Sequence, residues 1–149
     1  MRLALFQPDQ AGNVGALVRL SSCLAVPLDI VLPCGFALSD RTLKRAAMDY
    51  AASADVSLHA NWTAFRAARP GRLVLLTTSA PLALPDARFA PGDILLVGSE
   101  SAGVPADLHD EVELGVRIPQ APGTRSLNIV AAASIALSEA LRQTKGWPR

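Results

Sequence analysis

The segment Gly98-Ser99-Glu100-Ser101-Ala102-Gly103-Val104-Pro105 sets an acid between two glycines. Glycines let a backbone approach a ligand closely, and a proline at the far end suits the first turn of a following short helix. The loop lacks the lysine of a P-loop and the three glycines of a dinucleotide fingerprint, and its acid would repel phosphate. A positively charged ligand such as a sulfonium cofactor fits better; the alternative for Glu100 alone is a cap on the helix near Pro105. Leu76-Thr77-Thr78-Ser79-Ala80 offers small hydroxyls and free amides for a ribose or an amino acid group, a composition it shares with plain loops. From Arg117 to Asn128 an apolar strand end runs into a Pro/Gly loop that lands on a helix, with Ser126 suited to its N-cap. Asn128, inside the first apolar turn, must find a partner if buried, as glue for the loop or as a ligand contact. Gln7 to Arg19 enters the first helix, with Gly12 and Asn13 as good caps. Arg19 lies about one and a half turns inside. Its guanidinium can fork onto phosphate or ribose oxygens, although a lone arginine is more often a surface residue.

Short apolar runs at Leu3 to Phe6, Leu28 to Leu32, Val56 to Leu58, Leu73 to Thr77, Ile94 to Val97 and Leu114 to Ile118 read as strands. Helical stretches at Val14 to Ala25, Arg41 to Ala47 and Trp62 to Ala68 separate them, which predicts one α/β domain over residues 1–149 with a mostly parallel sheet and flanking helices. Three of the four segments then fall just past strand ends, where open α/β sheets bind ligands. The Pro-rich stretch Pro81 to Pro91 is expected as a surface loop. A last helix, from about Ser126 to Lys145, carries Leu127, Ile129, Val130, Ile135 and Leu137 around its axis. A helix apolar all round is covered on both sides, so a homodimer sharing this helix is expected.

The net charge of +1 gives no global electrostatic footprint, so an RNA site must be local or built from two subunits. Basic residues gather at Arg41, Lys44 and Arg45, at Arg66, Arg69 and Arg72, and at Arg142, Lys145 and Arg149; the default for each is a solvated helix face. The two cysteines, Cys23 and Cys34, have no metal-ligand spacing, which with the short N-terminal apolar run predicts a cytoplasmic protein without metal or membrane span. His59 and His109 stand outside every motif.

In order and spacing these segments resemble the SpoU branch of the SPOUT methyltransferases over nearly the whole chain. The residues that carry the resemblance are Asn13, Gly15 and Arg19; Gly98, Glu100, Gly103 and Pro105; and Ile118, Pro119, Ser126, Leu127 and Asn128. Gly35-Phe36, Leu43-Lys44-Arg45-Ala46 and Asp49-Tyr50 make the chain most like the minimal enzymes that methylate the wobble ribose of tRNA. The resemblance implies a C-terminal trefoil knot and an S-adenosylmethionine site at Leu76, Thr77, Gly98, Glu100, Gly103, Ile118, Pro119, Ser126 and Leu127. It also implies tRNA contacts at Asn13, Arg19, Lys44, Arg45 and Tyr50, and a transfer centre at Arg19, Ser126 and Asn128. Because arginine stays protonated, the role assigned to Arg19 is to hold phosphate and stabilise charge developing on the 2′-oxygen. Two positions depart from the family pattern: Ala16, and the Ile129-Val130-Ala131 run after Asn128. They leave a catalytically silent RNA-binding module of the same fold as the alternative.

Overall fold

The computed structural model describes residues 1–39, 41, 50 and 54–149. Its strands are β1 (Arg2–Phe6), β2 (Leu28–Val31), β3 (Val56–His59), β4 (Leu73–Leu76), β5 (Ile94–Val97) and β6 (Leu114–Val116). The helices are α1 (Ala11–Leu24), α2 (Trp62–Ala68) and α3 (Ile129–Thr144). The six strands form one sheet in the order β3-β2-β1-β5-β4-β6, and every neighbouring pair is parallel. All six apolar runs of the sequence are strands; the helix expected at Arg41 to Ala47 lies outside the described residues except for Arg41.

A sheet with helices on both faces buries its strands on both sides, which is why the central strands read as unbroken apolar runs. The alternation of side chains sorts them. Leu3, Leu5, Leu28, Ile30, Val74, Leu95 and Val97 face α1 and α3, meeting Val14, Leu17, Val18, Ala133, Ala136 and Leu137. Ala4, Phe6, Val31, Leu73, Leu75, Ile94 and Leu96 face the other way, onto Phe65 of α2. The Pro-rich stretch is a loop with a 3₁₀ turn at Leu84–Asp86, anchored by buried Leu84 and Ala87.

One local expectation is corrected. Helix α3 begins at Ile129, and its N-cap is Asn128, not Ser126: the Asn128 side-chain oxygen accepts from the amides of Val130 at 2.8 Å and Ala131 at 3.4 Å. A cap needs extended backbone before the first turn, and only at Asn128 does the side chain also reach those free amides. One chain covers only one face of α3. Ala133, Ala136, Leu137, Ala140 and Leu141 pack inward, whereas Ala131 and Ile135 are exposed.

At the start of β2 the fully buried Asp29 ties the sheet edge together. Its carboxylate takes Arg2 Nε at 2.7 Å, His59 Nε2 at 2.7 Å and Arg69 Nε at 3.0 Å, joining β1, β2, β3 and the end of α2. Burial alone would raise its pKa, but the hydrogen bonds from Arg2 and His59 and the two guanidinium charges outweigh it and hold the carboxyl below its ordinary value. A lowered folded-state pKa contributes stability above the unfolded value, about pH 4, that is lost as pH falls through the folded one. Asp29→Ala should therefore cost about 3 kcal/mol in urea unfolding at neutral pH, because it strands the partners' charges, and should flatten the acid limb of stability. An unchanged midpoint would remove Asp29 from the account of the fold.

Candidate active site

The carboxyl ends of β4, β5 and β6 and the N-termini of α1 and α3 enclose a cavity of about 460 Å³, within the range of small-molecule sites. Leu76 ends β4, with Thr77 and Thr78 after it; Gly98, Ser99, Glu100 and Gly103 follow β5; Val116 ends β6, with Ile118 and Gln120 beyond it. Ser126, Leu127, Asn128 and Ile129 close it from the entry to α3, and Gln10 and Asn13 from the entry to α1.

The loop after β5 folds back on itself. Ser99 N donates to Gly103 O at 3.2 Å and Gly103 N to Ser99 O at 2.9 Å, with Gly103 at φ +68°. A Cβ on Gly98 would lie 2.2 Å from the Gly103 carbonyl carbon and 2.6 Å from Val104 N. Glycine at position 98 thus serves the closure of the loop as well as lining the cavity.

Glu100 does not cap the 3₁₀ turn after Pro105. It reaches across to the first loop, accepting from Asn13 Nδ2 and, at 3.3 Å, from the Asp9 amide. Asn13 sits inside α1 instead of capping it, and its side-chain oxygen accepts from Asn128 Nδ2 at 3.2 Å. Glu100, Asn13 and Asn128, which come from three separate motifs, therefore form one hydrogen-bonded chain along the cavity wall. Burial raises the pKa of Glu100, and the neighbouring Asp9 carboxyl raises it further against the lowering effect of the Asn13 bond. Among the described lining residues Glu100 carries the one ionisable side chain. This apolar, amide-rich wall with a single acid suits a cofactor made of a neutral nucleoside and a cationic sulfonium, and lacks the cations a phosphate-bearing cofactor would need.

The cavity brings together Asn13, Leu76, Thr77, Gly98, Glu100, Gly103, Ile118, Ser126, Leu127 and Asn128 of the expected residues. Pro119 does not line it. Nor does Arg19, which is exposed on α1 with its guanidinium 5.0 Å from the centre of the Tyr50 ring. Lys44 and Arg45 lie outside the described residues. Gln10, Ser99 and Gln120 line the cavity without having been singled out; each adjoins a motif, a signal that spacing alone does not separate from ordinary loop polarity. The Arg66, Arg69 and Arg72 cluster is not an open basic face. Arg69 pairs with Asp29 at 3.0 Å, Arg72 with Asp93 at 2.7 Å, and Arg66 approaches Glu111 at 3.9 Å and Glu113 at 3.8 Å. His59 is held by Asp29, and His109 Nε2 lies 3.1 Å from Val104 O. Among the described residues no group of three metal-ligating side chains forms, and no helix is long and apolar enough to cross a membrane.

Residues 1–138 match the SpoU rRNA Methylase family. The chain belongs to that family. Among its SpoU relatives, the tRNA (cytidine(34)-2'-O)-methyltransferase of Beijerinckia indica is 49% identical over 144 residues, covering 95% of this chain and 90% of that protein. The protein of the same name from Escherichia coli K12 is 36% identical over 151 residues, covering 99% and 96%. A solved structure described as "Structural insights into the 2-OH methylation of C/U34 on tRNA" superposes with a TM-score of 0.91 at 37% identity, over 97% of this chain and 96% of that one. An AdoMet-bound rRNA methyltransferase from Sinorhizobium meliloti superposes with a TM-score of 0.82 at 27% identity, over 95% of this chain and 55% of its own. The SpoU motifs of this chain are the ones joined by the Glu100–Asn13–Asn128 chain.

Proposed function

We propose that this chain is an S-adenosylmethionine-dependent tRNA methyltransferase that methylates the ribose 2′-hydroxyl of the wobble nucleotide, cytidine or uridine 34. The observation that carries the reading is the acid-bearing cavity walled by Glu100, Asn13 and Asn128, in a chain so similar over its length to cytidine(34) 2′-O-methyltransferases. Bound there, S-adenosylmethionine supplies an electrophilic methyl group. The protein's task is to align a weakly nucleophilic hydroxyl and ease the loss of its proton. Leu76, Ile118 and Leu127 offer apolar contact and nearby backbone groups to the adenosine, Glu100 offers charge complementarity to the sulfonium, and Ser126 borders the ribose. Asn128 is committed to two α3 amides and to Asn13, so its role is to fix the N-terminus of α3 against α1.

In this reading Arg19 supplies the phosphate and oxyanion contact; it does not line the cavity of its own chain, and a homodimer would let a second copy present it. The exposed face of α3, with Ile135 beside Leu84, Pro85 and Ser138, is the surface a homodimer would bury. A tRNA substrate places the work in the cytoplasm. Incubation with radiolabelled S-adenosylmethionine and bulk tRNA, followed by nucleoside digestion, should yield 2′-O-methylated pyrimidine nucleosides from position 34. Absence of incorporation, with the cofactor bound in calorimetry, would overturn this function.

A further inference from the structure

Asp9, just past β1, lines no part of the cavity, yet it holds the loop that does. Its Oδ2 accepts from the Ser101 amide at 3.2 Å and from the Ser101 hydroxyl, while its own amide donates to Glu100 Oε2 at 3.3 Å. The two loops are thus clasped reciprocally, one side chain to one backbone in each direction. Behind Asp9 stands Gly35, whose amide donates to Pro8 O at 2.9 Å. A Cβ at Gly35 would lie 2.7 Å from Asp9 Cβ and 2.9 Å from Asp9 Cα, so any side chain there would push Asp9 forward. Gly35 is part of the Gly35-Phe36 pair that the cavity itself leaves without a role.

We infer that Asp9 is a positioning residue for methyl transfer, latching the 98–103 loop through Ser101 and presenting Glu100 to Asn13, with Gly35 as its backstop. The latch acts at a distance through bonds already described: Glu100 fixes the Asn13 amide, and Asn13 fixes Asn128 at the head of α3. A second feature belongs to the same latch. Asp9 Oδ1 is buried without a hydrogen-bond partner. The neighbouring Glu100 side chain and then the bonds from Ser101 hold the Asp9 carboxyl at about 2, while burial and the Asp9 side chain push Glu100 up. Asp9 and Asn13 are the polar side chains that meet the Glu100 carboxyl. Glu100 is therefore harder to ionise beside Asp9 than it would be alone.

The inference rests on the cofactor reading above, and its test is read in binding as well as in turnover. The affinity of the intact protein for S-adenosylmethionine is measured by calorimetry between about pH 4.5 and 7, where an unperturbed Glu would titrate at the lower end. Single-turnover transfer and thermal midpoints accompany it. Asp9→Ala and Gly35→Ala should each weaken cofactor affinity and slow transfer about tenfold, and the double variant should be no worse than Asp9→Ala alone, since Gly35 acts through Asp9. Additive losses in the double variant would overturn the latch. Asp9→Asn keeps an acceptor for Ser101 and replaces the neighbouring negative charge. Cofactor affinity should rise with pH as Glu100 ionises, and in Asp9→Asn the midpoint of that rise should move to lower pH while the thermal midpoint stays near wild type. An unmoved midpoint would overturn the influence of Asp9 on Glu100. A wild-type protein that binds the cofactor but methylates no tRNA would overturn the functional reading instead, and the affinity measurements would still decide the latch.

Discussion

Arg19→Ala is expected to leave S-adenosylmethionine affinity close to wild type and to slow methyl transfer by about a hundredfold or more. Arg19 is exposed on α1 and absent from the cavity lining, so its loss removes no cofactor contact. In the proposed mechanism it removes a fixed positive charge that faces the phosphate and the oxygen that becomes anionic during transfer, a contribution of this size when the charge is preorganised. The Tyr50 ring, 5.0 Å from the guanidinium carbon, supplies that preorganisation by stacking. Arg19→Lys should recover little, because an ammonium neither grips two oxygens at once nor stacks as a plane. The subunit origin of Arg19 has its own readout. Arg19→Ala mixed with a cofactor-dead Gly98→Ala chain should regain about a quarter of wild-type activity, since random exchange in a two-fold dimer leaves half the dimers mixed, each with one live site. No recovery on mixing would return Arg19 to its own chain's cavity. An Arg19→Ala protein that transfers at the normal rate would end its assignment, and one that also loses the cofactor would make Arg19 part of the fold.

The strands were legible because a parallel sheet covered on both faces demands unbroken apolar runs, and such runs survive without any knowledge of their neighbours. Leu28-Asp29-Ile30-Val31 shows the limit: Asp29 breaks its run, and nothing local announces that Arg2, His59 and Arg69 converge on it from separate elements. The same holds at the site. Spacing identified Asn13, Glu100 and Asn128, but their partners were misplaced, since Asn13 and Glu100 were each offered a local cap and both chose a side chain about ninety positions away in sequence. Ser126 looked like the cap of α3 because serine before an apolar run fits that role, while the chain delays the helix until Asn128 can satisfy its first amides and Asn13 together. Asp9 went unnoticed altogether. A carboxylate after a strand is ordinary, and only the fold reveals that Ser101 and Gly35 close on it. Apolar periodicity reports on burial, and burial is nearly independent of the identity of the partner; polar contacts across the chain depend on that identity entirely.

Gly98→Ala should abolish measurable S-adenosylmethionine binding and lower the thermal midpoint, and it should do so more severely than Gly103→Ala. The two glycines bracket the same loop but serve different physical needs. At Gly98 the added carbon would stand 2.2 Å from the Gly103 carbonyl carbon, 2.6 Å from Gly103 Cα and 2.6 Å from Val104 N. All three are backbone atoms, so no rotamer change relieves the overlap. The paired bonds between Ser99 and Gly103 must break, and with them the placement of Glu100 against Asn13. At Gly103 nothing stands within 4 Å of the added carbon, and the cost is confined to holding an alanine at φ +68°, about 1 kcal/mol. Gly103→Ala should accordingly keep its fold and retain weakened cofactor binding, whereas Gly98→Ala should lose the binding outright while the strand core, built from Leu3, Leu28, Leu95 and their neighbours, still unfolds cooperatively. Calorimetric titration and thermal unfolding of both variants check this. Equal effects at the two positions would mean that the loop tolerates reopening, and the explanation for Gly98 would then revert to direct approach of the ligand.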